Sequence, residues 1–281
     1  MSGLPVMVKA ALPSIPVVNL LPGIRKTGSD LPDLSLALHD VPVDVDHAAS
    51  YAALCGFPRK DTLPLTYPHL LAFGLHMQIM TDASFPFPAI GTVHLENSIT
   101  QHRPIAVTEQ LQVTAHVQHL RPHTKGQVFD MVTTVHSRGE LVWEETSTFL
   151  RRGKGDADAA SGTTFPEAAP TGTVWQLPSD LGRRYASVSG DHNPIHLYPL
   201  TAKALGFPRQ IAHGMWTKAR CVAALENRLP DAVRVDVAFK KPVLLPGSVA
   251  FGSRPTDDGY AFSLSSPRSG APHLAGATTA L

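Results

Sequence analysis

Cysteine is nearly absent: Cys55 and Cys221 are the two in 281 residues, too few for a disulfide framework. Both lie in apolar surroundings and read as small reduced core residues, which suits a reducing compartment and points to a cytoplasmic location. Metal-ligand spacing is missing too, with no C-x-x-C and no H-E-x-x-H, so neither a metal site nor another cofactor is expected. There is no basic run and no stripe of alternating aromatic and basic residues. With a formal net charge of +1, this argues against nucleic-acid binding. No stretch approaches the ~20 apolar residues that a membrane-spanning helix needs. The mildly apolar start, Met1 to Ile24, is interrupted by Pro5, Pro13, Pro16 and Pro22 and lacks the basic opening and unbroken apolar centre of a signal peptide.

What is present is a chain with 43% hydrophobic residues, enough for a sizeable core in one large domain or two ordinary ones. A stretch of Gly, Ala, Ser, Thr, Pro and Asp at 153–173 reads as a linker. The division is a 1–30 extension, a first unit at 31–152 and a second at 174–281.

The two units read as distant copies. Gly56-Phe57-Pro58-Arg59 matches Gly206-Phe207-Pro208-Arg209. Each tetrapeptide precedes an apolar segment with helical potential, Pro68 to Met80 and His213 to Leu229. A β-like run and a basic-Pro-aliphatic marker follow in each: Arg103-Pro104-Ile105 and Lys241-Pro242-Val243. Alternation predicts strands through Leu111, Val113, Ala115 and Val117 and through Val233, Val235, Val237 and Phe239. Further strands are expected at 127–135 and 141–150, with a turn at Gly139-Glu140. One long helix against an antiparallel sheet, made twice, is an α+β architecture forming a pseudo-dimer within one chain.

The chemistry concentrates in Gly190-Asp191-His192-Asn193-Pro194-Ile195-His196. A carboxylate, Asp191, and an imidazole, His196, flank an Asn-Pro turn that can fold them toward one small volume. Such a pair can hold a water and move protons near neutral pH. Gly190 permits a backbone shape closed to other residues, Asn193 can bond local backbone, and Pro194 stiffens the loop. His213-Gly214-Met215-Trp216 then opens a helix, whose free N–H groups suit a developing oxyanion. With Gly56 aligned on Gly206, Val41 falls opposite Asp191 and Asp46 opposite His196, so the first unit lacks the pair.

The run from Tyr185 to His196 resembles the signature of the MaoC-like, (R)-specific enoyl-CoA hydratases of the hot-dog fold. Ile211-Ala212-His213-Gly214-Met215 resembles their second motif, at the family's usual distance. Tyr198 stands where many relatives carry an acidic residue, a departure that leaves the pair untouched. The resemblance implies a double hot-dog and reversible hydration of trans-2-enoyl thioesters to (3R)-3-hydroxyacyl thioesters, carried by coenzyme A or acyl carrier protein. It implies catalytic roles for Asp191, His196 and the Gly214 N–H, with Asn193, His213 and Tyr185 in substrate binding or loop support. Lys203, Arg209 and Lys218 are candidates to meet the phosphates of the carrier arm. The first unit is then free to accommodate a longer acyl chain. Homodimerisation through a sheet edge or the remaining helix surface is left open. A thioesterase on the same fold and a non-catalytic acyl-thioester-binding module are the competing readings.

Overall fold

The computed structural model describes residues 30–160 and 162–281; most of the 1–30 extension therefore lies outside the described residues. Among the described residues ten strands form one sheet in the order β1-β3-β4-β5-β2-β7-β10-β9-β8-β6. Those of the first unit are β1 (Ser35–Pro42), β2 (Thr92–Gln101), β3 (Gln110–His123), β4 (Gly126–Ser137) and β5 (Glu140–Arg152). Those of the second are β6 (Pro170–Leu177), β7 (Val233–Phe239), β8 (Gly247–Pro255), β9 (Gly259–Ser265) and β10 (Pro272–Ala280). Read inward from either edge, the connectivity is the same, and the units meet where β2 pairs antiparallel with β7, from Glu96↔Ala238 to Gln101↔Val233. The internal duplication is thus a pseudo-two-fold, with one long helix per unit: the double hot-dog.

Alternation sets the faces. In β3, Leu111, Val113, Ala115 and Val117 are buried while the residues between them are more open, because successive side chains leave opposite faces of a strand. The β4–β5 hairpin turns on Arg138 and Gly139, both at positive φ, as a tight two-residue turn requires. Against the sheet lie α1 (Val45–Cys55), α2 (Pro68–Thr81), α3 (Leu181–Ser189), α4 (Pro199–Ala204) and α5 (Gly214–Leu225). The long central helices are α2 and α5, whose apolar residues enter one continuous core.

The matched tetrapeptides do matched work. Gly56 and Gly206 adopt left-handed conformations, φ +83° and +87°, just beyond α1 and α4. Phe57 N–H bonds the Ala52 carbonyl at 2.9 Å, and Phe207 N–H bonds Ala202 at 3.0 Å. Further on, Leu63 N–H meets Ile105 O and Ala212 N–H meets Val243 O, so both basic-Pro-aliphatic markers dock at equivalent places. The units differ where the chemistry is expected. In the first, the Asp44 side chain accepts from His47 N–H and starts α1, which places Asp46 in a helical first turn. The interval 153–173 hydrogen-bonds to both units, Gly153 N to Lys125 O and the Glu167 carbonyl to Arg254, and β6 begins within it at Pro170.

Candidate active site

The site is built on a break between helices. α3 ends at Gly190 in the left-handed region, φ +75°, which a Cβ would disfavour. Three local bonds shape the loop that follows: Asp191 N–H to Ser189 Oγ at 3.2 Å, Asn193 N–H to Asp191 Oδ1 at 3.1 Å, and Ile195 N–H to Asn193 Oδ1 at 3.4 Å. The last two are Asx-type turns and the first is the serine equivalent, in each of which a short side chain replaces a backbone acceptor. Pro194 opens a single 3-10 turn, Pro194–His196, since its fixed φ is ready for helix and its missing N–H is not needed there. His196 closes that turn and is buried.

Ile195 and Ile211 then tie the loop to the start of α5: Ile211 N–H donates to Ile195 O at 3.0 Å, and His196 Nδ1 donates to Ile211 O at 2.9 Å. The second bond commits the Nδ1 hydrogen of neutral His196 and leaves Nε2 with a lone pair. His213 occupies the N-cap position of α5 without capping it. Its Nε2 instead donates to the Asp191 backbone carbonyl at 2.9 Å, and its ring stacks on His196. Gly214 is the first residue of α5, where backbone N–H groups lack intrahelical acceptors and the helix dipole favours negative charge.

The electrostatics set protonation states. Burial raises the Asp191 carboxyl, but His213, His196, the Asn193 amide and His69 outweigh it, and its pKa falls below the ordinary value. Burial depresses His196, against the opposing pull of Asp191 and the Ile211 bond. Burial and the neighbouring His196 hold His213 down at about 3, so its 3.8 Å approach to Asp191 Oδ2 is no ion pair at neutral pH. Asp191 is thus ionised and His196 neutral: two acceptors side by side.

Donor atoms of Asp191, His196 and His213 lie within 4.8 Å of one another, residue types that suit a transition metal. Each ring has one nitrogen committed to a backbone carbonyl, and the two rings stack.

The sequence-predicted residues gather here: Asp191, His196 and His213 together, Gly214 next to them, Asn193 within the turn, and the Tyr185 ring 4.8 Å from His213. Tyr198 is instead exposed, beneath the Arg183 guanidinium. Lys218 requires a correction. It is fully buried and cannot meet a carrier phosphate, because its ammonium finds three acceptors inside the fold, Asn97 O, Asn97 Oδ1 and Val235 O. Sequence reasoning also missed Gly182, where a Cβ would fall 1.9 Å from the His196 carbonyl oxygen. A glycine in the first turn of a helical segment was the available signal. The first unit contributes too. Phe73 Cδ1 lies 3.6 Å from where a Gly190 Cβ would sit, and His47 Nε2 meets the Val188 carbonyl at 2.8 Å.

Comparison with known proteins identifies relatives of the whole chain. Residues 159–257 match the model of the MaoC like domain. The chain is 39% identical over 279 residues to the 3-hydroxyacyl-thioester dehydratase X of Mycobacterium tuberculosis, covering 97% of this chain and 96% of that one. The crystal structure of HtdX from M. tuberculosis superposes with a TM-score of 0.80 at 39% identity, over 88% of this chain and 100% of that chain. A MaoC-like dehydratase from Phytophthora capsici shares the fold at 18% identity, with a TM-score of 0.74, over 89% of this chain and 96% of that chain.

Proposed function

This chain belongs to the MaoC-like dehydratase family, and from that premise we propose that it is a hydro-lyase interconverting trans-2-enoyl and (3R)-3-hydroxyacyl thioesters in fatty-acid or related lipid metabolism. The observation that carries the reading is the side-by-side placement of ionised Asp191 and neutral His196 next to the start of α5. In hydration the pair takes one proton from water as its oxygen adds to C3, and that proton is returned to C2, so water is added with nothing left over. A coupled pair titrates as a unit, and the two steps belong to Asp191 and His196 jointly. Negative charge that develops on the thioester oxygen is met by the Gly214 N–H, a preorganised donor of the kind worth ~3–4 kcal/mol in a transition state.

His213 and Asn193 hold the loop in this scheme, and Tyr185 packs behind His213. The apolar α2 of the first unit, with Phe73 against Gly190, is read as the surface that accommodates the acyl chain. The carrier is coenzyme A or acyl carrier protein. No helix among the described residues is long and apolar enough to cross a membrane. The two free, buried thiols support a reducing, cytoplasmic setting, and the sheet edges β1 and β6 are the surfaces a homodimer would use.

The test is absorbance of the enoyl-thioester band with crotonyl-CoA and, in parallel, a longer-chain trans-2-enoyl-CoA. Loss of the band without thiol release, abolished by Asp191→Asn, is the expected result. Release of thiol would make the protein a thioesterase, and binding of both substrates without turnover would make it an acyl-thioester-binding module.

A further inference from the structure

A second set of ionisable groups is built into the core beside the Asp191 loop. Glu145 on β5 and Lys218 on α5 are both buried, at 1% and 0% exposure, and Asn97 on β2 joins them. The Asn97 amide donates to Glu145 Oε1 at 2.5 Å and to Ser147 Oγ at 2.9 Å, and its Oδ1 accepts from Lys218 Nζ. Lys218 also donates to Asn97 O at 3.2 Å and to Val235 O at 2.9 Å. At the other end, His69 Nδ1 lies 2.9 Å from both Glu145 oxygens. An unbroken hydrogen-bonded chain therefore runs from α5 of the second unit, across the β2–β7 seam, to His69 in the first turn of α2.

Charges buried in this way add little net stability, since desolvation offsets most of their attraction. What the chain does accomplish is to fix one imidazole. Burial pushes the Glu145 carboxyl up, but His69, His76 and Asn97 outweigh it and hold it at about 2, so it is an anion. With Nδ1 engaged by both Glu145 oxygens, Nε2 is the ring nitrogen left to meet a ligand.

His69 is also the open end of the chain: its side chain keeps 10% exposure against 0% for Glu145. Phe73, one turn further along the same face of α2, has its Cδ1 3.6 Å from where a Cβ on Gly190 would sit, and Gly190 is the chain neighbour of Asp191. His69 is also among the groups that lower the Asp191 carboxyl.

We propose that His69 is a substrate-contacting residue supplied by the first unit, that its Nε2 accepts a hydrogen bond from the 3-hydroxyl of a 3-hydroxyacyl thioester, and that Glu145, Asn97 and Lys218 are its positioning residues. Water carries two hydrogens. One goes to the Asp191–His196 pair during addition; the other stays on the oxygen, and with the catalytic pair engaged it needs an acceptor of its own. The enoyl double bond and the thioester carbonyl have no hydrogen to offer His69, so the contact selects for the hydroxyl. This inference rests on the hydratase reading for its reaction but is tested by binding.

Calorimetric titration of the Asp191→Asn protein with (3R)-3-hydroxybutyryl-CoA and with butyryl-CoA compares ligands that differ by the hydroxyl alone, with chemistry suppressed and the Asp191 charge removed. The hydroxyacyl ligand should bind ~5-fold more tightly, the worth of one neutral hydrogen bond. Adding His69→Ala should erase that preference and leave butyryl-CoA affinity nearly unchanged, while the melting temperature falls because the buried Glu145 loses a partner. His69→Gln, whose amide oxygen accepts, should restore part of it, and Glu145→Gln should weaken it. Absence of the preference in the Asp191→Asn protein, its survival in His69→Ala, or a parallel loss for both ligands would each overturn the proposal. A His69-dependent preference in a protein that fails to turn over enoyl thioesters would leave the contact standing and remove the hydratase reading.

Discussion

His196 and His213 stack, with ring centres 3.7 Å apart and planes inclined by 26°. Two imidazolium rings would repel at this distance, and the structure resolves the conflict by dividing the work. His213 is held neutral, with a pKa of about 3, and spends its Nε2 hydrogen on the Asp191 carbonyl. His196 keeps Nε2 for chemistry. One histidine braces the loop that carries the carboxylate, and the other shares the proton traffic.

Substitutions should separate these roles. Asp191→Asn and His196→Ala are each expected to lower kcat by ~10²–10⁴-fold, the usual contribution of general acid–base groups. Because the two act as a unit, the double variant should lose little more than the worse single one. His213→Asn removes a bracing bond and should cost about 10-fold or less. Steady-state hydration of crotonyl-CoA measures all four, and a His213 variant as damaged as His196→Ala would contradict the division.

The pH profile has a predicted direction. His196 must be unprotonated to accept a proton, and burial sets its pKa below 6.5; Asp191 is likewise set below 3.8. Activity should therefore persist as pH falls through 6.5 and decline only below it. The acid limb of kcat/KM reports this, and a midpoint above 6.5 would refute the assignment.

Lys218 should make stability depend on alkaline pH. Burial pulls its folded pKa to about 7 from 10.5, with Glu145 and Asp236 opposing. Between those values the unfolded chain binds more protons than the folded one, so stability rises with pH across the window. Lys218→Met should flatten that rise. Chemical denaturation at several pH values between 7 and 10 gives the slope, and an unaltered slope in the variant would show that the lysine is not its source.

Gly182 should prove necessary despite carrying no functional group. A Cβ there meets the His196 carbonyl oxygen at 1.9 Å, so the 3-10 turn bearing His196 must move. Gly182→Ala is expected to destabilise by ~1–3 kcal/mol, as overpacking does, and to lower kcat more than it alters KM. Unchanged melting and unchanged kcat would show that the loop yields freely.

Much of this was legible in the chain because it is local. Asp191, Asn193, Pro194 and His196 fall within six positions, and turn chemistry alone folds them together. The expected helices at Pro68 to Met80 and from His213 reappear as Pro68–Thr81 and Gly214–Leu225, since an apolar face at helical spacing has few alternatives. The strands at 127–135 and 141–150 fall inside Gly126–Ser137 and Glu140–Arg152. By contrast, β2 was expected only as a β-like run without bounds ahead of Arg103. His94, Glu96, Asn97 and Thr100 break its apolar pattern, and several of those polar groups find partners only after folding, Asn97 above all.

The sequence by itself determined the loop, the two long helices, the duplication and hence the double hot-dog, because each depends on neighbours along the chain or on a repeated pattern. Tertiary structure alone decided the rest. His69 and Glu145 are 76 positions apart, and Lys218 is 121 positions from Asn97; only the strand register that sets Asn97 beside Ser147 and the β2–β7 seam bring them together. A lysine reads as a surface cation until three acceptors are found around it in the core, and a histidine reads as incidental until a buried carboxylate holds its ring. Burial and hydrogen-bond partners are properties of position in space, and these residues acquire their roles from them.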